Sequence, residues 1–174
     1  MIVSWDRAQL GQHRDEVLDV YAQAMGVSAS TARNRRPIVT SHLERRGLQA
    51  VAAVADDGRL LGIAYGYLGA PGQWWHDQVH AALSRADRTR WLAGAFEVCE
   101  LHVRPELHGQ GLGRSLLDAL LARTAAPTAV LTTPDSETRA RGFYRAAGWV
   151  DLVRKLVFPG DPREFAVLGK DLRA

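Results

Sequence analysis

An apolar, strand-like segment is joined to an amphipathic one by Val103-Arg104-Pro105-Glu106-Leu107-His108-Gly109-Gln110-Gly111-Leu112-Gly113-Arg114. Three glycines alternate with other residues in the second half of this stretch. Glycine allows the backbone to come close to an anion and to point successive N–H groups at it. The helix that follows adds unpaired N–H donors and a partial positive charge at its N-terminus. The stretch therefore predicts a loop that binds a diphosphate, with the cation of Arg114 beside it.

Three phosphate-binding motifs have glycines in such a loop, and two of them do not match. The Walker loop ends in Gly-Lys-Ser/Thr, and this stretch contains no lysine. The dinucleotide fingerprint has a glycine where this chain has Arg114, and an acidic residue about 20 positions later, where this chain reads Ala129-Val130-Leu131. The remaining candidate is the (Arg/Gln)-x-x-Gly-x-(Gly/Ala) loop that holds the pyrophosphate of coenzyme A, with His108 at its first position.

The segments around the loop predict an α+β, or mixed α/β, domain with a central mixed sheet. Asp57-Gly58 is a strong hairpin signal between two strand-like segments. The segment at 129–133 is wholly apolar, as expected of a strand at the centre of a sheet. We predict helices at 15–25, about 31–46, 74–85, 111–124 and 136–147, and strands at 48–55, 60–68, 96–103, 129–133, 149–157 and 165–168.

A second motif lies about 30 residues after the loop, at Ala140-Arg141-Gly142-Phe143-Tyr144-Arg145-Ala146-Ala147-Gly148-Trp149. With the glycine loop at this distance, the chain resembles the GNAT superfamily of N-acetyltransferases. The family often has Asn where this chain has Glu137. The resemblance implies one N-acetyltransferase domain over residues 1–174, with a largely antiparallel mixed sheet that splays at the cofactor site and is flanked by helices. Residues 70–94 are expected to form an inserted helical or lid segment.

The resemblance also implies the chemistry of the site. Acetyl-coenzyme A would be the cosubstrate, and its acetyl group would pass directly to a primary amine of a small molecule or peptide in a ternary complex. No metal is expected. The residues implied to bind the cofactor are Leu101, His102, Val103, His108, Gly109, Gln110, Gly111, Leu112, Gly113 and Arg114.

Tyr144 and two glutamates are the candidate catalytic residues. A phenol has a pKa near 10 and can give a proton to a leaving thiolate, which is the role expected of Tyr144. Glu97 matches the family position that often acts on the amine, commonly through water. Strand alternation places Glu100 and His102 on one face and Glu97 on the other. Glu97, Glu100 or no dedicated base therefore remain alternatives.

Other side chains are expected to be structural. We predict that Cys99 belongs to the core, that His76 and His80 form a solvent-facing pair, and that the arginines between 33 and 46 are solvated. The tryptophans at 74, 75 and 91 either line the acceptor pocket or pack a lid.

Composition limits the function classes further. The chain has 174 residues and a net charge of +3, which is too small to require nucleic acid as a partner. One cysteine excludes an intramolecular disulfide. No apolar run approaches the roughly 20 residues of a membrane span, and the first residues do not resemble a signal peptide. We expect a cytoplasmic protein without membrane or nucleic-acid partners, which could form a homodimer.

Two other function classes remain as alternatives. A non-catalytic acyl-coenzyme A sensor would keep the glycine loop without turnover, although an intact Tyr144 disfavours it. A nucleic-acid binder that uses the arginines at 33–46 is disfavoured because no aromatic residues are interleaved with them.

Overall fold

The structure is a computed structural model that describes residues 1–173. Its helices are α1 (Arg7–Gln12), α2 (Arg14–Met25), α3 (Ala29–Arg33), α4 (Arg36–Leu43), α5 (Trp74–Ala82), α6 (Arg85–Asp87), α7 (Leu112–Leu121) and α8 (Arg139–Ala146). Its strands are β1 (Ile2–Trp5), β2 (Gln49–Val54), β3 (Leu60–Leu68), β4 (Phe96–Val103), β5 (Thr128–Pro134), β6 (Val150–Val157) and β7 (Glu164–Asp171). A π-helical turn covers Arg88–Leu92, and a 3-10 turn covers Pro105–Leu107.

The strands form a mixed sheet with the hydrogen-bonded order β1-β2-β3-β4-β5-β7-β6. The pairs β1–β2, β2–β3, β5–β7 and β6–β7 are antiparallel. The pair β4–β5 is parallel and joins Phe96 to Ala129 and Glu97 to Val130. This confirms the predicted fold class, a mixed and largely antiparallel sheet flanked by helices.

Most contacts between residues of the chain fall within two compact units. The first unit contains residues 1–67 and 98–125. Its core joins Val17 and Val20 of α2 to Ile63 and Tyr65 of β3. Helix α7 buries Leu116 and other leucines on one face, in agreement with the predicted amphipathic helix.

The second unit contains residues 68–97 and 126–173. Strand β5 is almost entirely buried, as its apolar sequence predicts. Val79 of α5 and Leu92 of the π-helical turn pack in one core with Val130 and Val167. Residues 70–94 thus supply part of this unit's core, and a role in covering a bound acceptor stays a prediction.

Most predicted elements are observed, with two kinds of error. The single helix predicted at about 31–46 is wrong, because the chain forms α3 and α4 with a break at Asn34 and Arg35. Pro37 lies in the first turn of α4, where its missing N–H is tolerated, but its ring prevents the preceding helix from continuing. Strand β1 and helix α1 were not predicted, although Asp6 and Gln9 form a capping box at the start of α1.

Candidate active site

The glycine loop has the backbone that its sequence predicts. Gly109 and Gly111 have φ angles of 80° and 83°, in the left-handed region that favours glycine. Gly111 is the N-cap residue of α7, and no side chain caps the helix there. The first N–H that bonds within the helix belongs to Ser115, which donates to the Gly111 carbonyl at 3.0 Å. The earlier N–H groups of α7 therefore have no partner within the helix and can meet an anion.

His108 anchors the loop to the end of β4. Its Nε2 donates to the carbonyl oxygen of Val103 at 2.8 Å, and the Gln110 amide donates to the Glu106 carbonyl at 3.0 Å. The side chain at the first motif position is thus occupied in holding the loop. Arg114 is half-exposed and forms an ion pair with Asp118 one helical turn later, at 2.8 Å.

Arg104 connects β4 to two neighbouring elements and was not identified from the sequence. Its guanidinium is buried and donates to the Leu60 carbonyl at 2.6 Å and to the Asp19 carboxylate at 2.9 Å. Its backbone N–H donates to the Leu61 carbonyl at 3.0 Å. The strand end from which the glycine loop departs is therefore fixed to β3 and α2.

Glu100 lies at the centre of a polar cluster in the first unit. Its Oε1 accepts from Arg35 Nη2, and its Oε2 is 2.5 Å from His102 Nε2. The guanidinium of Arg35 lies 4.5 Å from the centroid of the Tyr21 ring, and Tyr21 meets the His102 ring edge-on at 5.1 Å. This confirms that Glu100 and His102 share a strand face. The prediction that the arginines at 33–46 are all solvated is wrong for Arg35, whose side chain is only 32% exposed.

The cluster forms one wall of a small, partly open pocket with a cavity volume of about 10 Å³, which is room for about one water. Its lining comes from α2, α4, β3, β4 and the residue before α4, and comprises Val17, Leu18, Tyr21, Arg35, Val39, Tyr65, Glu100 and His102. Burial raises the pKa of Glu100, but its hydrogen bond to His102 and the charges of His102 and Arg35 outweigh burial and lower that pKa to about 2. The pocket therefore combines apolar walls with a carboxylate that stays ionised.

A second buried group adjoins the pocket at Tyr65. The Tyr65 hydroxyl is hydrogen-bonded to His42 Nδ1 at 3.1 Å, and Cys99 Sγ lies 3.4 Å from the same nitrogen. Burial lowers the pKa of His42 to about 4 and raises that of Tyr65 well above its ordinary value. His42 is thus neutral near pH 7. Cys99 packs against the core of the first unit, as expected, but its histidine neighbour was not foreseen.

The other two candidate catalytic residues belong to the second unit. Glu97 is buried, and its backbone pairs with Val130. Tyr144 lies on α8 between two aromatic rings, with centroid distances of 5.1 Å to Phe143 and 5.8 Å to Trp149. Helix α8 is fixed by the buried Arg141, which donates to Asp135 at 2.7 Å and to Asp151 at 2.6 Å.

The remaining expectations concern residues 70–94. His76 is buried, so the expected solvent-facing pair with His80 is wrong for this residue. Trp75 donates to Thr132 at 2.5 Å, Trp91 is buried, and Trp74 packs on Phe158.

Within residues 1–173, no group of three His, Cys, Asp or Glu side chains is arranged to hold a metal ion. None of the helices in that range is both long enough and apolar enough to span a membrane.

A mixed sheet with a glycine loop that leads from a central strand into a helix defines a mixed α/β protein whose loop is suited to a diphosphate group. Residues 14–149 match the model of the acetyltransferase (GNAT) family, and the chain belongs to that family. It is therefore an acetyltransferase.

Similar proteins agree with this assignment. The chain is 39% identical to the GCN5-like protein acetyltransferase Rv2170 of Mycobacterium tuberculosis, over 90% of each protein. A structure assigned to the GNAT family from Desulfovibrio desulfuricans has a TM-score of 0.70 at 19% identity, over 98% of this chain and 99% of that one. An aminoglycoside 6'-N-acetyltransferase solved with coenzyme A has a TM-score of 0.65 at 16% identity, over 98% of this chain and 96% of that one.

Proposed function

We propose that residues 1–174 form one domain that transfers the acetyl group of acetyl-coenzyme A to a primary amine of a small molecule or peptide. The observation that carries this proposal is the glycine loop at the start of α7. Its two left-handed glycines and uncapped helix N-terminus suit a diphosphate. The place that a Cβ of residue 111 would take has no neighbouring atom within 4 Å, so the space beside Gly111 is open.

The residues of β4 and the loop fit the cofactor in a consistent way. Residues 108–114 would hold the pyrophosphate mainly through backbone N–H groups, which is compatible with a His108 side chain that bonds to Val103. The backbone of Leu101 and Val103 would hold the pantetheine arm, as the family resemblance implies. When bound, acetyl-coenzyme A supplies an activated acetyl thioester.

The amine must be neutral and held near the thioester carbonyl, and the leaving thiolate must receive a proton. Tyr144 would donate that proton through its hydroxyl. Glu97 and Glu100 are the candidates for taking the proton of the amine. The similar mycobacterial protein is named a protein acetyltransferase, and the similar solved structure is named for aminoglycosides.

Turnover distinguishes the transferase from a non-catalytic sensor. The protein is mixed with acetyl-coenzyme A and a panel of primary amines comprising a polyamine, an aminoglycoside and a lysine peptide. We expect free thiol to be released only when protein and a suitable amine are both present. Binding of coenzyme A without thiol release for any amine would support the sensor alternative.

Substitution of Gly111 tests the loop assignment. Coenzyme A binds only the folded state, so ligand at about 100 times its dissociation constant should add roughly 2.7 kcal/mol to the free energy of unfolding. Gly111→Asp should remove most of this gain, because its carboxylate repels the diphosphate and its Cβ strains a left-handed backbone. The measurement is the thermal unfolding temperature with and without coenzyme A.

Gly26→Asp is the matched control, since Gly26 also has a positive φ angle and open space around its Cβ. We expect this variant to be strained to a similar degree but to keep the full shift on adding coenzyme A. An unchanged shift in Gly111→Asp would show that the diphosphate binds elsewhere.

A further inference from the structure

The Glu100 cluster contains two side chains to which the proposed transfer mechanism assigns no role. Arg35 and His102 each hold one oxygen of the same buried carboxylate, whose side chain is only 9% exposed. All three side chains line the pocket, and they come from two parts of the chain that are far apart in sequence. Removing one of these three side chains should cost more than breaking a surface ion pair, because a buried charge or an imidazole would lose its partner.

Glu100 is poorly suited to accept a proton from an amine directly. Both of its oxygens are engaged by donors, and its pKa is lowered to about 2 by His102 and Arg35 against the effect of burial. A base with so low a pKa holds a proton weakly near neutral pH. Its position favours a different task, which is to hold His102.

The hydrogen bond to Glu100 determines which nitrogen of His102 is available. An ionised carboxylate only accepts hydrogen bonds, so Nε2 carries the hydrogen. In the neutral ring the lone pair is then on Nδ1. Within residues 1–173, Nδ1 of His102 takes part in no hydrogen bond, and the ring borders the pocket with its side chain 13% exposed. Tyr21 packs against the ring and keeps it in this orientation.

We infer that Nδ1 of His102 takes the proton of the acceptor amine, and that Glu100 and Arg35 position the ring for this step. The inference rests on the proposed function and identifies the base of that reaction. The amine nitrogen forms a bond to the acetyl carbon as the bond from that carbon to sulfur breaks. The sulfur leaves with the electron pair, and the proton lost by nitrogen moves to His102. Arg35 balances the charge of the ionised Glu100.

The groups around His102 come from every element that lines the pocket. They are Glu100 on the same strand, Tyr21 on α2, Arg35 next to α4, and Tyr65 on β3. His42 on α4 is hydrogen-bonded to the Tyr65 hydroxyl. Glu100 is the carboxylate among them and Arg35 the cation. The apolar walls of the pocket disfavour the charged form of an amine held beside it.

The test is the dependence of kcat on pH at saturating acetyl-coenzyme A, with the amine of the panel that reacts fastest. We expect the wild-type kcat to fall on the acidic side. His102→Gln should lower kcat by about 10²- to 10⁴-fold near neutral pH and abolish this acidic limb. The KM for acetyl-coenzyme A and the thermal shift with coenzyme A should change little, which also shows that the variant is folded.

Glu100→Gln tests the positioning role separately. Its amide oxygen can still accept from Nε2, so the loss in kcat should be smaller than in His102→Gln. The acidic limb should move to lower pH, because an imidazolium beside a neutral amide has lost its charge partner. A residue that only stabilised the fold would lower the amount of active protein without moving the limb.

His13 and Glu16 provide a matched control, since they form an exposed His–Glu pair at 2.8 Å outside the pocket. His13→Gln should leave kcat and its pH dependence unchanged. If His102→Gln keeps the wild-type profile, or if Glu97→Gln removes the acidic limb instead, the inference is overturned and the transfer reaction stands. If the wild-type protein releases no thiol with any amine, the proposed function and this inference both fail.

Discussion

Tyr144→Phe is expected to lower kcat by about 10²- to 10⁴-fold, the usual contribution of a general acid. The substitution removes the proposed proton donor and keeps the ring that packs against Phe143 and Trp149, so the fold should survive. Raising the pH should not restore activity, because the protons that could replace the missing donor become scarcer. The measurement is kcat against pH at saturating acetyl-coenzyme A, with folding checked by circular dichroism.

Phe143→Leu is the control for packing next to Tyr144. It alters the neighbouring ring but leaves the hydroxyl in place, so its effect on kcat should be small by comparison. A loss of only a few-fold in Tyr144→Phe, at every pH, would contradict the proton-donor role. Positioning of the two substrates would then account for the rate.

Arg141→Met should destabilise the protein by about 3–5 kcal/mol, the cost of removing one partner from a buried ion pair. Arg141 is fully buried and holds Asp135, whose side chain is 1% exposed, as well as Asp151. At about 2–4 °C per kcal/mol, the unfolding temperature should fall by roughly 6–20 °C. The same contacts fix α8, so the variant should also lose turnover below its unfolding temperature through displacement of Tyr144.

Arg145→Met on the same helix is the matched control. Arg145 forms an exposed ion pair with Glu137 at 3.3 Å, and such pairs contribute about 0–1 kcal/mol. The double variant Asp135→Asn with Arg141→Met should cost less than the sum of the two single variants, because the two residues interact directly. Equal effects of Arg141→Met and Arg145→Met would mean that the buried network adds nothing to stability.

Acid should weaken the same network. The hydrogen bond from Arg154, the backbone N–H of Lys155 and the charges of Arg154 and Arg141 lower the pKa of Asp135 to about 2. A carboxylate whose pKa is lower in the folded state stabilises the fold above its unfolded pKa, and this contribution is lost as the pH falls towards 2. Unfolding temperatures measured between pH 6 and about pH 2 should therefore fall less steeply in Asp135→Asn than in the wild type. Equal slopes of unfolding temperature against pH in the two proteins would contradict this role of Asp135.

Local patterns in the sequence predicted much of the fold. The bounds of β3 and β4 agree with the prediction, and the glycine loop has left-handed glycines where the motif requires them. The face shared by Glu100 and His102 followed from strand alternation, and their hydrogen bond confirms it. These features depend on residues that are near one another in the chain, and their spacing alone is enough to indicate them.

Other features of the site could not be read from any local pattern. Arg35 looked like one of several solvated arginines, and only the packing of α2 and α4 against β3 and β4 brings it to Glu100. The same holds for the contact of Cys99 with His42. Arg104 gave no signal of its own, yet it fixes the strand end from which the loop departs.

The sequence by itself determined the class of this protein, because the backbone conformation of a diphosphate loop depends on which positions are glycine and on where the next helix starts. It also determined that Glu100 and His102 point to one side of β4. Only the tertiary structure decided that Glu100 is held between Arg35 and His102 with a pKa of about 2. A side chain's burial, its partners and its proton affinity are set by residues distant in sequence that folding brings around it.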